Sequence, residues 1–259
     1  MTNRSFRNFL FSGLAVLALG GCQSVPGNET EVINQSLSRT AEDSEANRNY
    51  KAAAQNYRSL LERQPDDRTA QLGLARNLRY SGNAKSAVQI LIEAGAEKSG
   101  DVGLLLELAK AKIALAKADE AIAHVTAAVK AGAKDWDVYV TMGIGYDLLQ
   151  SYDEAWTAYQ TAINLSPGNG AVLNNMAFSA ALNGKLDLAI KILEDASLPV
   201  RRNPQIRQNL AFFYGIRGDM DKAGKLAERD LDKEAVRNNL AVFSRFRKSA
   251  RPADTPTTK

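Results

Sequence analysis

Two side chains suited to nucleophilic, redox or general-base chemistry occur once each in this sequence, Cys22 and His124. One thiol cannot close an intrachain disulfide or build a thiolate metal cluster, and one imidazole makes a histidine-based metal site a poor expectation. His124 lies beside Val125 in a helical pattern, which marks a surface or groove-edge residue and not a catalytic base. The glycines make no better phosphate cradle. Gly143-Ile144-Gly145 lacks the third glycine of G-x-G-x-x-G and follows no strand pattern. Gly184-Lys185 and Gly224-Lys225 lack both the upstream glycine and the following Ser/Thr of a P-loop. The sequence contains no H-E-x-x-H, C-x-x-C or G-x-S-x-G. The expectation is a protein that is not an enzyme and holds neither metal nor cofactor, and its work must be sought in surfaces.

Those surfaces have to be positioned by a repeat. From Trp136, counted as position 1, Tyr139 falls at 4, Met142 at 7, Gly143 at 8 and Tyr146 at 11. Ala155 follows at 20, Tyr159 at 24, Ala162 at 27 and Pro167 at 32. Positions 4, 7, 8 and 11 share one face of a first helix, and 20, 24 and 27 one face of a second. Gly143 and Ala155 are small where two helices must approach closely, the aromatics fill the remaining gaps, and Pro167 helps stop the second helix. The pattern and its length resemble the tetratricopeptide family at nearly every signature position. One such hairpin cannot bury its apolar face, so neighbours are required.

Stepping by 34 gives repeat starts at 34, 68, 102, 136, 170 and 204 with no insertion. Position 20 is then alanine six times, at Ala53, Ala87, Ala121, Ala155, Ala189 and Ala223. Position 24 is apolar throughout: Tyr57, Leu91, Val125, Tyr159, Leu193 and Ala227. Turn signals fall between the two helices at Ser81-Gly82-Asn83, Asn183-Gly184 and Gly218-Asp219. The first repeat is weaker in its first helix, with Thr40, Ala41 and Ser44 at positions 7, 8 and 11, as expected of an end repeat with one neighbour. The expected fold is therefore all-α, an α-α superhelical solenoid of about six tetratricopeptide repeats over residues 34–237. A capping helix over 238–248 places Leu240, Phe243 and Ser244 at helical spacing, and 249–259, with Pro252 and Pro256, reads as a disordered tail.

The N-terminus has a separate logic. Arg4 and Arg7 precede the apolar run Phe9 to Leu19, the marks of a signal peptide over residues 1–21. A permanent span needs about 20 apolar residues, more than this run supplies. Leu19-Gly20-Gly21-Cys22 resembles a bacterial lipobox. That resemblance implies cleavage before Cys22 and its acylation, and Gln23 in place of Asp implies retention at the outer membrane, facing the periplasm. Residues 22–33, with Pro26 and Gly27, read as the lipidated Cys and a flexible tether. Loss of Arg4 and Arg7 with no acid takes the formal charge from +4 to +2, too little to argue for nucleic acid.

In tetratricopeptide arrays the first helices line a concave groove through positions 2, 5, 9, 12 and 13. Here these include Arg76, Arg79 and Tyr80, then Lys110 and Ile113, then Ile144 and Asp147, then Asn174 and Phe178, then Gln208 and Phe212. Such a groove is basic towards its N-terminal end and amide-plus-aromatic towards its C-terminal end. Arg, Tyr and Phe are residue types that anchor protein interfaces. A bound partner segment would have its backbone bonded by Asn174 and Gln208 and its side chains packed by Phe178 and Phe212; the competing reading is that the two phenylalanines only join repeats. No repeat carries the Lys at 5 and Asn at 9 that clamp a C-terminal carboxylate, since the second has Leu72 and Arg76.

Asn203-Pro204-Gln205-Ile206-Arg207-Gln208-Asn209-Leu210-Ala211, Ala227-Glu228-Arg229-Asp230-Leu231 and Val236-Arg237-Asn238-Asn239-Leu240-Ala241, with the lipobox, resemble the lipoproteins of the tight adherence (Flp pilus) secretion apparatus. This resemblance implies an outer-membrane-tethered adaptor that assists the secretin in the manner of a pilotin. It also implies a protein partner, a membrane contact through lipid alone, and no nucleic-acid or small-molecule ligand. The alternative within the same class is a scaffold of another envelope system, such as outer-membrane protein insertion or cell-wall synthase regulation.

Overall fold

The computed structural model describes residues 26–250, so the leader, Cys22 and the residues from 251 onward lie outside it. The described chain is a row of helical hairpins with no strand among the described residues. They pair as α1 (Pro26–Ala46) with α2 (Tyr50–Arg63), α3 (Arg68–Tyr80) with α4 (Ala84–Glu93), and α5 (Val102–Ala114) with α6 (Ala118–Lys130). Then come α7 (Trp136–Leu148) with α8 (Tyr152–Leu165) and α9 (Gly170–Leu182) with α10 (Leu186–Glu194). A one-turn helix α11 (Leu198–Arg201) precedes α12 (Pro204–Arg217) and α13 (Met220–Ala227), and α14 (Lys233–Ala250) closes the row. Five first helices begin on the expected starts, 68, 102, 136, 170 and 204.

The regularity has local causes that recur every 34 residues. Each of those five helices is preceded by Asp or Asn: Asp67, Asp101, Asp135, Asn169 and Asn203. Four of them accept from backbone N–H groups of the first turn, as Asp67 does from Ala70 at 3.0 Å and Asp101 from Leu104 at 2.9 Å. These bonds satisfy donors that a helix start otherwise leaves orphaned. The stops are equally regular. In all six hairpins the residue at position 15 has positive φ: Arg48, Gly82, Ala116, Gln150, Gly184 and Gly218. The next N–H then donates back to the carbonyl of position 11, as Asn83 does to Leu78 at 2.8 Å and Lys185 to Ala180 at 2.8 Å. This is the six-to-one bond that closes a helix with a left-handed residue.

The expected tether needs correction, because residues 26–33 are helical and extend α1 backwards by two turns. Position 33 is Ile, not Asp or Asn, so no capping side chain marks a helix start there. The capping helix also starts earlier than residue 238, at Lys233, where Asp232 accepts from Ala235 N–H at 2.8 Å. Of the expected tail, 249–250 belong to α14 and the rest lies outside the described residues.

The core is the seam between the two helices of each hairpin and its neighbours. All six alanines at position 20 and all six residues at position 24 are buried. Position 8 is small in every repeat, with Ala41, Ala75, Ala109, Ala177 and Ala211 wholly buried and Gly143 beside them. At Gly143 a methyl group would lie 2.7 Å from the Tyr159 ring, so that repeat spends its smallest residue on its largest seam side chain. First helices pack in sequence, α3 on α5, α5 on α7, α7 on α9 and α9 on α12, which sets one row of helix faces along the inner side.

Candidate partner-binding groove

Along this inner row the structure separates the expected groove residues into two groups. The charged ones face each other across neighbouring repeats. Arg76 donates to Glu45 through Nε at 2.5 Å and Nη2 at 2.9 Å. Arg79 Nε donates to Glu107 at 2.7 Å, and both side chains are nearly buried. Lys110 pairs with Asp137. Burial pushes the Glu45 carboxyl up, but hydrogen bonds from Arg76 and Asn77 outweigh it and hold the group below its ordinary value. The Arg79 guanidinium also lies over the Tyr80 ring at 4.4 Å, and Tyr80 packs on Tyr50 at 4.9 Å between centroids. Ile113 is half-buried in the same row.

The remaining polar residues are used in the same way. Asp147 accepts from Tyr159 at 2.8 Å within its repeat and from Ser179 of the next at 2.6 Å. Burial raises its carboxyl above the ordinary range, and these two hydrogen bonds lower it again only in part. Asn174 Oδ1 accepts from Asn209 at 2.5 Å. Gln208 Nε2 donates to Asp230 at 3.0 Å, while its Oε1 is buried without a partner among the described residues. Asn174 Oδ1 and Gln208 Nε2, expected to meet a partner's backbone, therefore bond to the adjacent repeat and to the following turn.

The apolar members form a continuous ladder. Position 9 is Ile144 in α7, Phe178 in α9 and Phe212 in α12, and one period further Phe246 in α14. Phe178 and Phe212 stack at 6.4 Å with 23° between planes, and Phe246 meets Phe212 edge-on at 5.9 Å. Phe213 and Phe243 support the ladder from behind, at 4.9 Å from Phe178 and 5.5 Å from Phe212. Phe178 and Phe212 thus join repeats and also remain only half-buried. Beside them, position 13 contributes Leu148 and Leu182, 46% and 61% exposed, and Phe246 is 54% exposed. A recess of about 390 Å³ lies between Ile144, Leu148, Phe178 and Leu182, with Asp147 and Tyr159 in its wall. Leu148, Leu182 and Phe246 are not among the expected groove residues, yet the period that yields Phe178 and Phe212 reaches them with one more step in position or repeat.

His124 lies on α6, half-buried, with Nε2 3.9 Å from Glu97; burial lowers its proton affinity and the Glu97 charge opposes this. No group of three or more metal-ligating side chains occurs among the described residues. Nor is any described helix long and apolar enough to cross a membrane.

Compared with known proteins, the chain matches no family model and no curated protein. Solved structures are similar to it in fold. The thermophilic tetratricopeptide protein TTC0263 of Thermus thermophilus aligns over 70% of this chain and 98% of its own, at 20% identity and a TM-score of 0.65. The hetero-tetramer Cut9–Hcn1 of the APC/C aligns over 88% of this chain and 46% of its own, at 16% identity and a TM-score of 0.65. MamA from Desulfovibrio magneticus RS-1 aligns over 66% and 96%, at 14% identity and a TM-score of 0.52. The fold is that of a tetratricopeptide-type helical solenoid.

Proposed function

We propose that this protein is a protein-binding adaptor whose inner ladder, Ile144, Phe178, Phe212 and Phe246 with Leu148 and Leu182, receives an apolar segment of a partner polypeptide. The observation that carries this reading is the placement of exposed leucines and half-buried phenylalanines in one row, continuing a row whose Arg76, Arg79 and Lys110 are already ion-paired. Apolar area left exposed in a contiguous strip is unfavourable in a monomer and marks an interaction surface. Backbone recognition through Asn174 Oδ1 and Gln208 Nε2 is not part of this reading, since both atoms bond within the array.

The finer assignment rests on sequence resemblance. The lipobox at Leu19 to Cys22 and the stretches around Asn203 and Asn238 support TadD, the lipoprotein of the tight adherence (Flp pilus) apparatus. On that reading acylated Cys22 holds the chain at the outer membrane with the solenoid in the periplasm, and the groove assists the secretin. Acyl chains hold a protein on a membrane at about 0.8 kcal/mol per buried CH2 without any spanning helix.

Two experiments test this. Cys22→Ser is expected to move the chain out of the outer-membrane fraction, and retention there with function intact would remove the anchor. Affinity capture from envelope extracts, with wild type against the Leu148→Ser/Leu182→Ser pair, is expected to lose the secretin in the variant. Recovery of an insertase or cell-wall synthase instead would move the adaptor to another envelope system.

A further inference from the structure

The outer side of the sixth repeat carries a second recess, of about 460 Å³, between α10, α11, α12 and α13. From α12 it uses Ile206, Arg207, Leu210 and Tyr214, positions 3, 4, 7 and 11. The inner ladder uses position 9, which a 3.6-residue period puts on the opposite side of the same helix. The two surfaces are therefore separate.

Its floor is apolar: Ile206, Leu210 and Tyr214 are buried, with Leu226 beside them. Its rim is cationic, with Arg201 and Arg202 on one side and Lys222, Lys225 and Arg229 on the other. Unlike Arg76, Arg79 and Lys110 on the inner side, Arg201, Arg202 and Lys225 have no salt-bridge partner among the described residues. One carboxylate, Glu194, belongs to the lining, and a second, Asp230, lies behind Arg207. Glu194 accepts from the Tyr214 hydroxyl, whose own ionisation is pushed up to about 12, first by burial and then by that bond. Asp230 accepts from Arg207 at 2.9 Å and from Gln208 at 3.0 Å. Arg207 also donates to the carbonyls of Arg201 and Arg202, tying the end of α11 to α12 so that the two arginines stay at the lip. Lys222 rests over the Tyr214 ring at 4.9 Å.

An apolar floor beneath a rim where cations outnumber the single lining carboxylate, and where Arg201, Arg202 and Lys225 have no ion-pair partner among the described residues, asks for a ligand with the reverse layout, one apolar group flanked by negative charge. We infer that this outer recess is a second binding site, for an acidic peptide segment that inserts a large apolar side chain between Leu210, Tyr214 and Leu226 while its carboxylates meet Arg201, Arg202 and Lys225. A membrane surface fits less well, because a helix that lies on a bilayer needs its apolar face to stand beyond its cations. Here the apolar floor lies beneath them, where a single side chain reaches and a bilayer does not. The recess has the size of small-ligand and side-chain pockets.

The test uses the full chain and a short fluorescein-labelled peptide of Glu and Asp around a central Leu-Phe pair, with a control in which that pair is Ser-Ser. Binding is expected to weaken at least tenfold in Arg202→Glu/Lys225→Glu, both exposed positions, with helicity by circular dichroism unchanged. It is expected to fall with added salt, as exposed charge pairs do, and to stay unchanged in Leu182→Ser on the inner side. The Ser-Ser control is expected to bind at least tenfold more weakly than the Leu-Phe peptide. Equal binding of control and peptide, no effect of the charge reversal, or loss of binding in Leu182→Ser would each overturn the site. Phosphatidylglycerol vesicles that bind the chain, displace the peptide and release the charge-reversed variant would overturn the choice of a peptide.

Discussion

At the same position of the repeat, the first half of the array carries Arg76 and Lys110, and the second half Ile144, Phe178, Phe212 and Phe246. Both halves face the inner side, yet they use that position differently. The cations are consumed by Glu45 and Asp137 on neighbouring first helices, and Arg79 by Glu107, so the first half presents a surface already satisfied. The phenylalanines also join repeats, but a ring that stacks on its neighbour keeps an edge and part of a face for something else. An ion pair completes itself, whereas an apolar ladder leaves surface that a partner can still cover.

The largest expected effect is on stability in the first half. Arg79→Ala leaves Glu107 nearly buried without its partner, which costs about 3 kcal/mol, read as a drop in the urea midpoint. The pair Arg79→Met/Glu107→Leu is expected to recover most of that loss, because a well-packed apolar pair replaces a buried ion pair at little cost. A double variant as unstable as Arg79→Ala would mean the pair does more than join repeats.

Next in size is an effect on binding in the second half. Leu148→Ser/Leu182→Ser is expected to change stability by no more than about 0.5 kcal/mol, as exposed positions do, while reducing capture of the partner several-fold. Equal capture with an intact fold would locate recognition outside the ladder.

A smaller effect concerns the turns. Ala116 has φ of 55°, and Ala116→Gly is expected to raise stability by about 0.5–1 kcal/mol, the left-handed strain relieved less the added freedom of the unfolded chain. Gly184→Ala, at φ of 73°, is expected to lose a similar amount, and thermal melts of the two variants shifting in the same direction would contradict the shared turn geometry.

The smallest effect is in acid titration, and Asp147 differs in sign from Glu45 and Asp101. Glu45 is held below its ordinary 4.5, and Asp101 is held down to about 2 by the Arg68 hydrogen bonds. Such groups contribute stability above their unfolded values, lost as pH falls through the folded ones. Asp147 is raised above 3.8 by burial, so its contribution falls as pH rises through that raised value. Arg68→Ala is therefore expected to make acid unfolding shallower between about pH 4 and pH 2, and Asp147→Asn to make it steeper just above about pH 4, both measured by fluorescence.

The period of 34 made most of the scaffold readable, because alanine at position 20 and an apolar residue at 24 report a seam that only stacked hairpins create. The back-extension of α1 was also written in the chain, in Ile33 standing where the other repeats have Asp or Asn, but it is read only by comparing linkers. Positive φ at Arg48, Ala116 and Gln150 leaves no mark in residue type, since the same six-to-one turn closes there without glycine. At the groove, position alone put Phe178 and Phe212 in one row, and the two rings stack there. It could not say that Arg76, Lys110, Asn174 and Gln208 turn sideways, because that depends on what the neighbouring repeat offers, and Glu45, Asp137, Asn209 and Asp230 each lie 22 to 35 residues away. Helix α11 has no counterpart in the other linkers, so a repeat pattern carries no expectation of it or of the recess it borders.

The most direct measurement is site-specific photo-crosslinking in cells, with a photoreactive phenylalanine analogue placed at Leu182 on the inner ladder and, separately, at Gln160, exposed on α8. The account predicts one adduct with a defined partner at residue 182, none at 160, and its disappearance when Phe178 is replaced by Ser. Adducts of equal yield at both positions, or none at 182 while 160 reacts, would contradict it.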